Sequence, residues 1–525
     1  MNGVRFDGVT VGVFVFFFAL VTVLGFVASR WRRGDLSQLS EWGLGGRRFG
    51  GFVTWFLLGG DLYTAYTLVA VPALVYAVGA YGFFAMPYVI LVYPFVFMTM
   101  PRLWNVCRKH GWVTSADFVE GRFGSRGLAL AVAVTGILAT MPYIALQLVG
   151  LDVVFKAMGF GTLGIGRETP LIIAFVVLAV YTYSSGLRAP ALIAFVKDAM
   201  LYIAVIAAII VIPMQLGGYG AVFDAAKEAF AAKGGSTGLV LKPEQFTAFA
   251  TLALGSAFAL FLYPQATTAT LSAKSADTIR RNAIWLPAYS IMLLLVSLLG
   301  YMALAANIHV ADNSMVAPAL INISFPPWFA GFCFAAFALG ALVPAAIMAI
   351  GAANLFTRNI WRPYVNRGMS DADESRMAKN LSLVVKFGAL LAVLFLPTKF
   401  AIDLQLLGGI WVLQIFPAVI CGLFTRWLRP GPLLLGWAVG MVVGTVLPIL
   451  GGLSPVYSFT AGGSHIGIYT GLLALAINLA VAVAATLVAA AFGRGEQVDR
   501  TRASDYEDGV SAGGSTVRQP RYSHR

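Results

Sequence analysis

Long apolar runs recur along the chain, each bounded by charges or by Gly and Pro, and they set the first expectation. Each run of about 20 apolar residues matches a hydrocarbon core of about 30 Å. About thirteen such spans are expected, near 9–28, 50–78, 82–100, 127–152, 170–186, 191–213, 246–272, 283–305, 328–356, 380–397, 402–424, 432–451 and 466–492. The pattern predicts an all-α polytopic membrane body over 1–492 and a disordered tail over 493–525, which is rich in Arg, Ser, Gly and Asp and has no apolar period. A patch in the long loop 214–245, AVFDAAKEAFAAK, is amphipathic and predicts a short interfacial helix. The first run has neither a basic lead nor a cleavage-site pattern and reads as a retained helix.

Composition agrees with a membrane body. Of 525 residues 59% are hydrophobic and 11% are charged, against about 25% charged in a soluble domain. The net charge of +13 raises nucleic acid as a partner, but the cations sit in alternate loops. One set of loops holds Arg30, Arg32, Arg33, Arg47, Arg48, Arg102, Arg108, Lys109, Arg122, Arg126, Lys274, Arg280, Arg281, Arg358, Arg362, Arg367, Arg376, Lys379, Arg426 and Arg429. By the positive-inside rule this face is cytoplasmic, which puts the N-terminus on the outer side of the membrane and the tail on the inner side. The excess charge is then a topology signal, and no nucleic acid is implied. Cys107, Cys333 and Cys421 are far apart, so neither a zinc site nor a disulfide framework is expected. No cofactor, metal cluster or phosphate-binding glycine loop is read from the sequence, and its oligomeric state is left open.

Ionisable residues inside spans are functional candidates because burying a charge in the membrane costs a few kcal/mol. Asp61 follows Gly59 and Gly60 in WFLLGGDLYTAYT, a helix-weakening pair that predicts a discontinuous helix near mid-span. The seventh span has a comparable interruption at Gly255, Ser256 and Pro264. The two interrupted spans run in opposite directions and their starts are five spans apart. That spacing predicts two inverted repeats, near 50–213 and 246–424, each opening with a broken helix. Lys197 and Asp198 fall together in the sixth span. Lys386 lies near the end of the tenth and is expected to snorkel to the headgroups. Candidate substrate contacts line the two breaks: Gly59, Gly60, Tyr63, Tyr66 and Thr67 on the second span, Gln147 on the fourth, Ser256 and Tyr263 on the seventh. A small carboxylate would be held by free N–H groups at a half-helix N-terminus.

Several segments resemble the sodium/solute symporter family, and most of all its bacterial monocarboxylate permease branch. They are WGLGGRRFG, WFLLGGDLYTAYT, TMPYIALQLVG, YTYSSGLRAPALIAFVKD, TLSAKSADTIRRN, LGALVPAAIMAIGAANLFTRNIW and LQLLGGIWVLQIFPAVICGLFTRW. The resemblance covers the chain to about residue 492. It implies a five-plus-five inverted-repeat (LeuT-like) fold with flanking helices, and import of short monocarboxylates (pyruvate, lactate, acetate, propionate, with alanine a further candidate) driven by a cation gradient. The alternatives are sodium-coupled import of another small solute and a transporter-like sensor, although the short tail leaves no room for a signalling domain. The resemblance also implies a sodium site made of second-span carbonyls and a Ser/Thr pair in the ninth span. That pair falls on Val343 and Pro344, in a span with no Ser or Thr between Cys333 and Phe356. Coupling is therefore expected to use protons, carried by Asp61 and relayed by Asp198, or else sodium held by other oxygens. Two readings of Lys197 stay open: its ammonium fills the vacant cation place, or it pairs with its neighbour or snorkels.

Overall fold

The computed structural model describes residues 6–28, 30, 34–60, 62–160, 169–395, 401–462, 464–492 and 498–508. Asp61 falls outside the described residues. The chain is built from helices numbered here in order. The first part comprises α1 (Gly8–Ala28), α2 (Leu39–Leu44), α3 (Gly51–Gly60), α4 (Val71–Val78), α5 (Ala85–His110), α6 (Ser115–Phe123), α7 (Arg126–Ala157), α8 (Thr169–Ser185), α9 (Arg188–Gln215) and α10 (Tyr219–Lys233). The second comprises α11 (Phe246–Leu260), α12 (Pro264–Leu271), α13 (Ala276–Tyr289), α14 (Ile291–Ser297), α15 (Leu299–Ala305), α16 (Val316–Ser324), α17 (Pro327–Phe356), α18 (Arg362–Tyr364), α19 (Asp371–Phe395), α20 (Ala401–Val412) and α21 (Gly422–Phe424). Two last helices, α22 (Pro430–Leu450) and α23 (Thr470–Ala491), pack on each other and are joined by a hairpin of β1 (Val456–Ala461) and β2 (Ser464–Tyr469).

Among the described residues nine helices are long and apolar enough to cross a membrane, and α11 with α12, bent by 49°, makes a tenth span. The expected count of thirteen is not confirmed. The second span is split into short helices, α8 is short, and the span at 380–397 runs into residues that are not described. Burial sorts the helices by role. An 18-residue stretch within α17 is wholly buried, as the centre of a helical body requires, whereas only 28% of the corresponding stretches of α22 and α23 is buried, leaving an apolar surface suited to lipid. The short helix expected in the long loop appears as α10, whose Lys233 ammonium donates to the Tyr76 carbonyl at 2.9 Å and so fixes it over the end of α4.

The tail departs from the disordered reading over residues 498–508, which lie folded on the arginine-rich face. Asp499 is 3.2 Å from Arg122, and Asp505 is 2.9 Å from His110. The Arg500 N–H donates to Gly121, and Asn105 donates to Asp508 at 3.0 Å. Tyr506 is buried edge-on to Phe118 beneath the Arg102 guanidinium. Polarity alone hid this segment: its acids meet the cations that membrane topology had already gathered on this face. Lys386 also departs from its reading. It is fully buried in α19, and its Nζ has no hydrogen-bond partner, so it does not reach the headgroups.

Candidate functional site: two helix breaks

A helix interrupted inside a membrane must find partners for the backbone groups it frees, and the first break shows where they go. α3 stops at Gly60 and the chain resumes as a wide helical turn at Tyr66–Ala70 that leads into α4. The Ala65 N–H donates to Gln147 Oε1 at 2.9 Å, while Gln147 Nε2 donates to the Tyr143 carbonyl. The Thr67 hydroxyl donates to the Leu62 carbonyl. The Gly60 and Tyr63 carbonyls accept from Lys197 Nζ at 2.9 and 3.3 Å.

That last pair carries the chemistry. Lys197 and Asp198 are both fully buried on α9, with Nζ 2.9 Å from Asp198 Oδ1. An ammonium has three N–H groups, and here it meets three oxygens, two of them from the broken helix. Such a pair repays its desolvation only when its remaining hydrogen-bond capacity is filled, and the second carboxylate oxygen is filled by the Tyr289 hydroxyl. Of the two readings of Lys197, snorkelling fails. It pairs with its neighbour and also faces the carbonyls of the break.

The glycines are required by close approach. A Cβ on Gly59 would lie 2.8 Å from the Tyr289 ring, and one on Gly60 would lie 3.3 Å from Lys197 Nζ. On the other side a Cβ on Gly340 of α17 would lie 2.5 Å from Leu68 and 3.6 Å from the Tyr63 carbonyl, so only glycine lets that helix close here. Val343 and Pro344 follow one turn on, both buried, and give this wall no side-chain oxygen.

The second break is neutral. Tyr263 is extended between α11 and α12, Pro264 opens α12, and Thr267 Oγ1 donates to the Tyr263 carbonyl at 3.1 Å. Two tyrosine hydroxyls hold adjacent carbonyls of α20: Tyr263 donates to Gln405 at 3.1 Å and Tyr469 to Leu406 at 2.8 Å. The Tyr143 ring meets Tyr263 edge-on at 5.4 Å, and Tyr66 has Tyr88, Tyr143 and Tyr469 as electrostatic neighbours. The Tyr66 hydroxyl, Ser256 hydroxyl and Gln405 Oε1 are buried without a hydrogen-bond partner.

The expected residues therefore divide. Gly59, Gly60 and Tyr63 join Lys197 and Asp198; the Tyr63 ring stacks on Tyr289 at 4.3 Å, and its hydroxyl donates to the Tyr289 carbonyl. Tyr66 and Ser256 keep free hydroxyls, while Thr67, Gln147 and Tyr263 spend their polar groups on backbone. Sequence reading missed Tyr289, Tyr143 and Tyr469. Each is one tyrosine in an apolar run, and only the inward turn of the β2–α23 junction reveals Tyr469.

Comparison with known proteins decides the family. The model of the sodium:solute symporter family matches residues 42–447, most of the chain. The chain belongs to this family. A protein of Rhizobium johnstonii named monocarboxylate transport permease protein is 60% identical over 91% of this chain and 96% of its own length. The uncharacterized symporter YodF of Bacillus subtilis is 34% identical over 88% of this chain and 90% of its own. A Na+-coupled sialic acid symporter, solved substrate-bound and outward-open, superposes with a TM-score of 0.75 at 16% identity, covering 92% of this chain and 98% of that one. The LeuT-like symporter fold is thereby shown. Family membership makes this a multi-pass membrane transporter of a small solute that uses a coupling ion; it indicates no enzyme.

Proposed function

We propose that the chain imports short monocarboxylates (pyruvate, lactate, acetate, propionate and, as a further candidate, alanine) by symport with protons. The single observation that carries the coupling half is Lys197 Nζ on the Gly60 and Tyr63 carbonyls, facing an α17 wall with no hydroxyl. A fixed ammonium supplies the positive charge that these carbonyls would otherwise draw from a bound ion. Proton coupling then needs only a titratable group reachable in turn from each side. Asp61, by sequence the carboxylate of the break, and Asp198 fill that role.

The substrate half rests on the second break and on the name of the Rhizobium relative. Unpartnered hydroxyls of Tyr66 and Ser256 suit one carboxylate and a chain of a few carbons. Nothing in this cluster offers a second cation for a dicarboxylate. The substrate experiment is competition against labelled pyruvate uptake in cells: lactate, acetate and propionate are expected to compete. Competition by glucose or succinate with none by lactate contradicts the assignment. Sodium coupling is the second reading, favoured by the family's own description.

A further inference from the structure

Tyr289 is the last residue of α13, two residues after Pro287, at a junction where the chain restarts as α14. It is fully buried and joins three elements. Its hydroxyl donates to Asp198 Oδ2 on α9, and its carbonyl accepts from the Tyr63 hydroxyl of the broken helix. Its ring stacks on Tyr63, meets Tyr202 and Trp55 edge-on at 5.8 and 5.9 Å, and lies 2.8 Å from where a Cβ on Gly59 would be.

These contacts are unequal in strength. Lys197 holds Asp198 and is itself tied to two backbone carbonyls, so freeing it breaks three interactions. Tyr289 reaches the same carboxylate through one side-chain hydroxyl, beside the single turn residue Ser290 that follows Pro287 within the span. It is the movable partner. Direction follows from topology. α3, α9 and α13 all enter from the arginine-rich face, after Arg47 and Arg48, at Arg188, and before Arg280 and Arg281. Helical side chains lean back toward their own N-terminus, so the Tyr289 ring fills the wedge between the ion pair and that face.

We propose that Tyr289 is the positioning residue and inner seal of the Lys197–Asp198 pair. Its O–H orients Asp198 on Lys197 while the site is closed, and its departure opens the pair toward the arginine-rich face. This rests on reading that pair as the coupling centre.

The test is Tyr289→Phe, which keeps the ring, the stack on Tyr63 and the fit on Gly59 and removes only the O–H. A reporter cysteine replaces Ala194, the buried residue one turn before Asp198, with Cys107, Cys333 and Cys421 changed to Ala. A membrane-impermeant maleimide is applied to each side of sealed vesicles. Losing a hydrogen bond to a charged group predicts labelling about tenfold faster from the arginine-rich side alone, with gradient-driven accumulation reduced more than solute exchange. Unchanged labelling and an unchanged accumulation-to-exchange ratio overturn the proposal. If the variant fails to insert, Tyr63→Phe removes the tie to the Tyr289 carbonyl. It is expected to speed labelling less, and no change there overturns the proposal equally. Failure of the coupling reading looks different: Lys197→Met would keep gradient-driven uptake, while the labelling change in Tyr289→Phe would remain.

Discussion

The two helix breaks solve one problem in opposite ways. The first frees two carbonyls beside a wall without hydroxyls and satisfies them with a full positive charge, balanced by Asp198 and Tyr289. The second satisfies its neighbours with neutral tyrosine hydroxyls and leaves Ser256 and Gln405, together with Tyr66 from the first broken helix, with unused capacity. A buried charged centre is costly to disturb and poor at accepting a solute; a neutral centre with free hydroxyls can accept one cheaply. Under the proposed function the difference becomes a division of labour, with coupling at the first break and recognition at the neutral hydroxyls beside the second.

Variants at the first break carry the largest effects. Lys197→Met leaves Asp198 buried and unpaired, which costs about 3–5 kcal/mol; uptake is expected to vanish and the thermal midpoint in detergent to fall. Restoration of both in Lys197→Met/Asp198→Leu would show that the pair is structural. Asp61→Asn is next: accumulation is expected to be lost with the protein still in the membrane, and concentrative uptake at normal rates would make that carboxylate structural.

At the neutral hydroxyls of Tyr66 and Ser256 the effects are smaller and of another kind. Tyr66→Phe and Ser256→Ala each remove one neutral hydroxyl, worth about 1 kcal/mol, so the KM for pyruvate is expected to rise about fivefold with no change in the response to ion gradients. A changed ion response in either variant would erase the proposed division. The smallest effect lies far from both breaks. Asp508 is held below the usual carboxylate range by hydrogen bonds from Arg280 and Asn105. For Asp505, burial pushes the carboxyl up, but hydrogen bonds from the Arg502 backbone and from His110, with the charges of His110 and Lys109, outweigh it and hold the group low. Docking of residues 498–508 is therefore strengthened above the ordinary carboxylate range and weakened as pH falls through the lowered values. Limited proteolysis of the tail should speed up on acidification, and in Asp505→Asn at neutral pH.

Much of this was legible beforehand, for physical reasons. Apolar runs must span a bilayer, so the helices follow directly from hydropathy, and Gly59 with Gly60, and Gly255 and Ser256 with Pro264, marked both breaks. The sequence also showed that α17 lacks hydroxyls and that Lys197 sits beside Asp198. What it could not show is which backbone carbonyls the ammonium reaches, because residues 60 and 197 meet only through packing of α3 on α9. Tyr289 and Tyr469 were illegible for the same reason: an aromatic in an apolar run carries no mark of the partner it will meet. The tail misled because a segment docked by charge pairs has the composition of a disordered one.

Uptake of labelled pyruvate into proteoliposomes, with sodium and proton gradients imposed separately, tests the central claim that Lys197 stands in place of a bound cation. Uptake is expected to persist when choline or potassium replaces sodium, to rise as external pH falls, and to collapse with a protonophore. Strict sodium dependence that saturates and ignores the protonophore would contradict it.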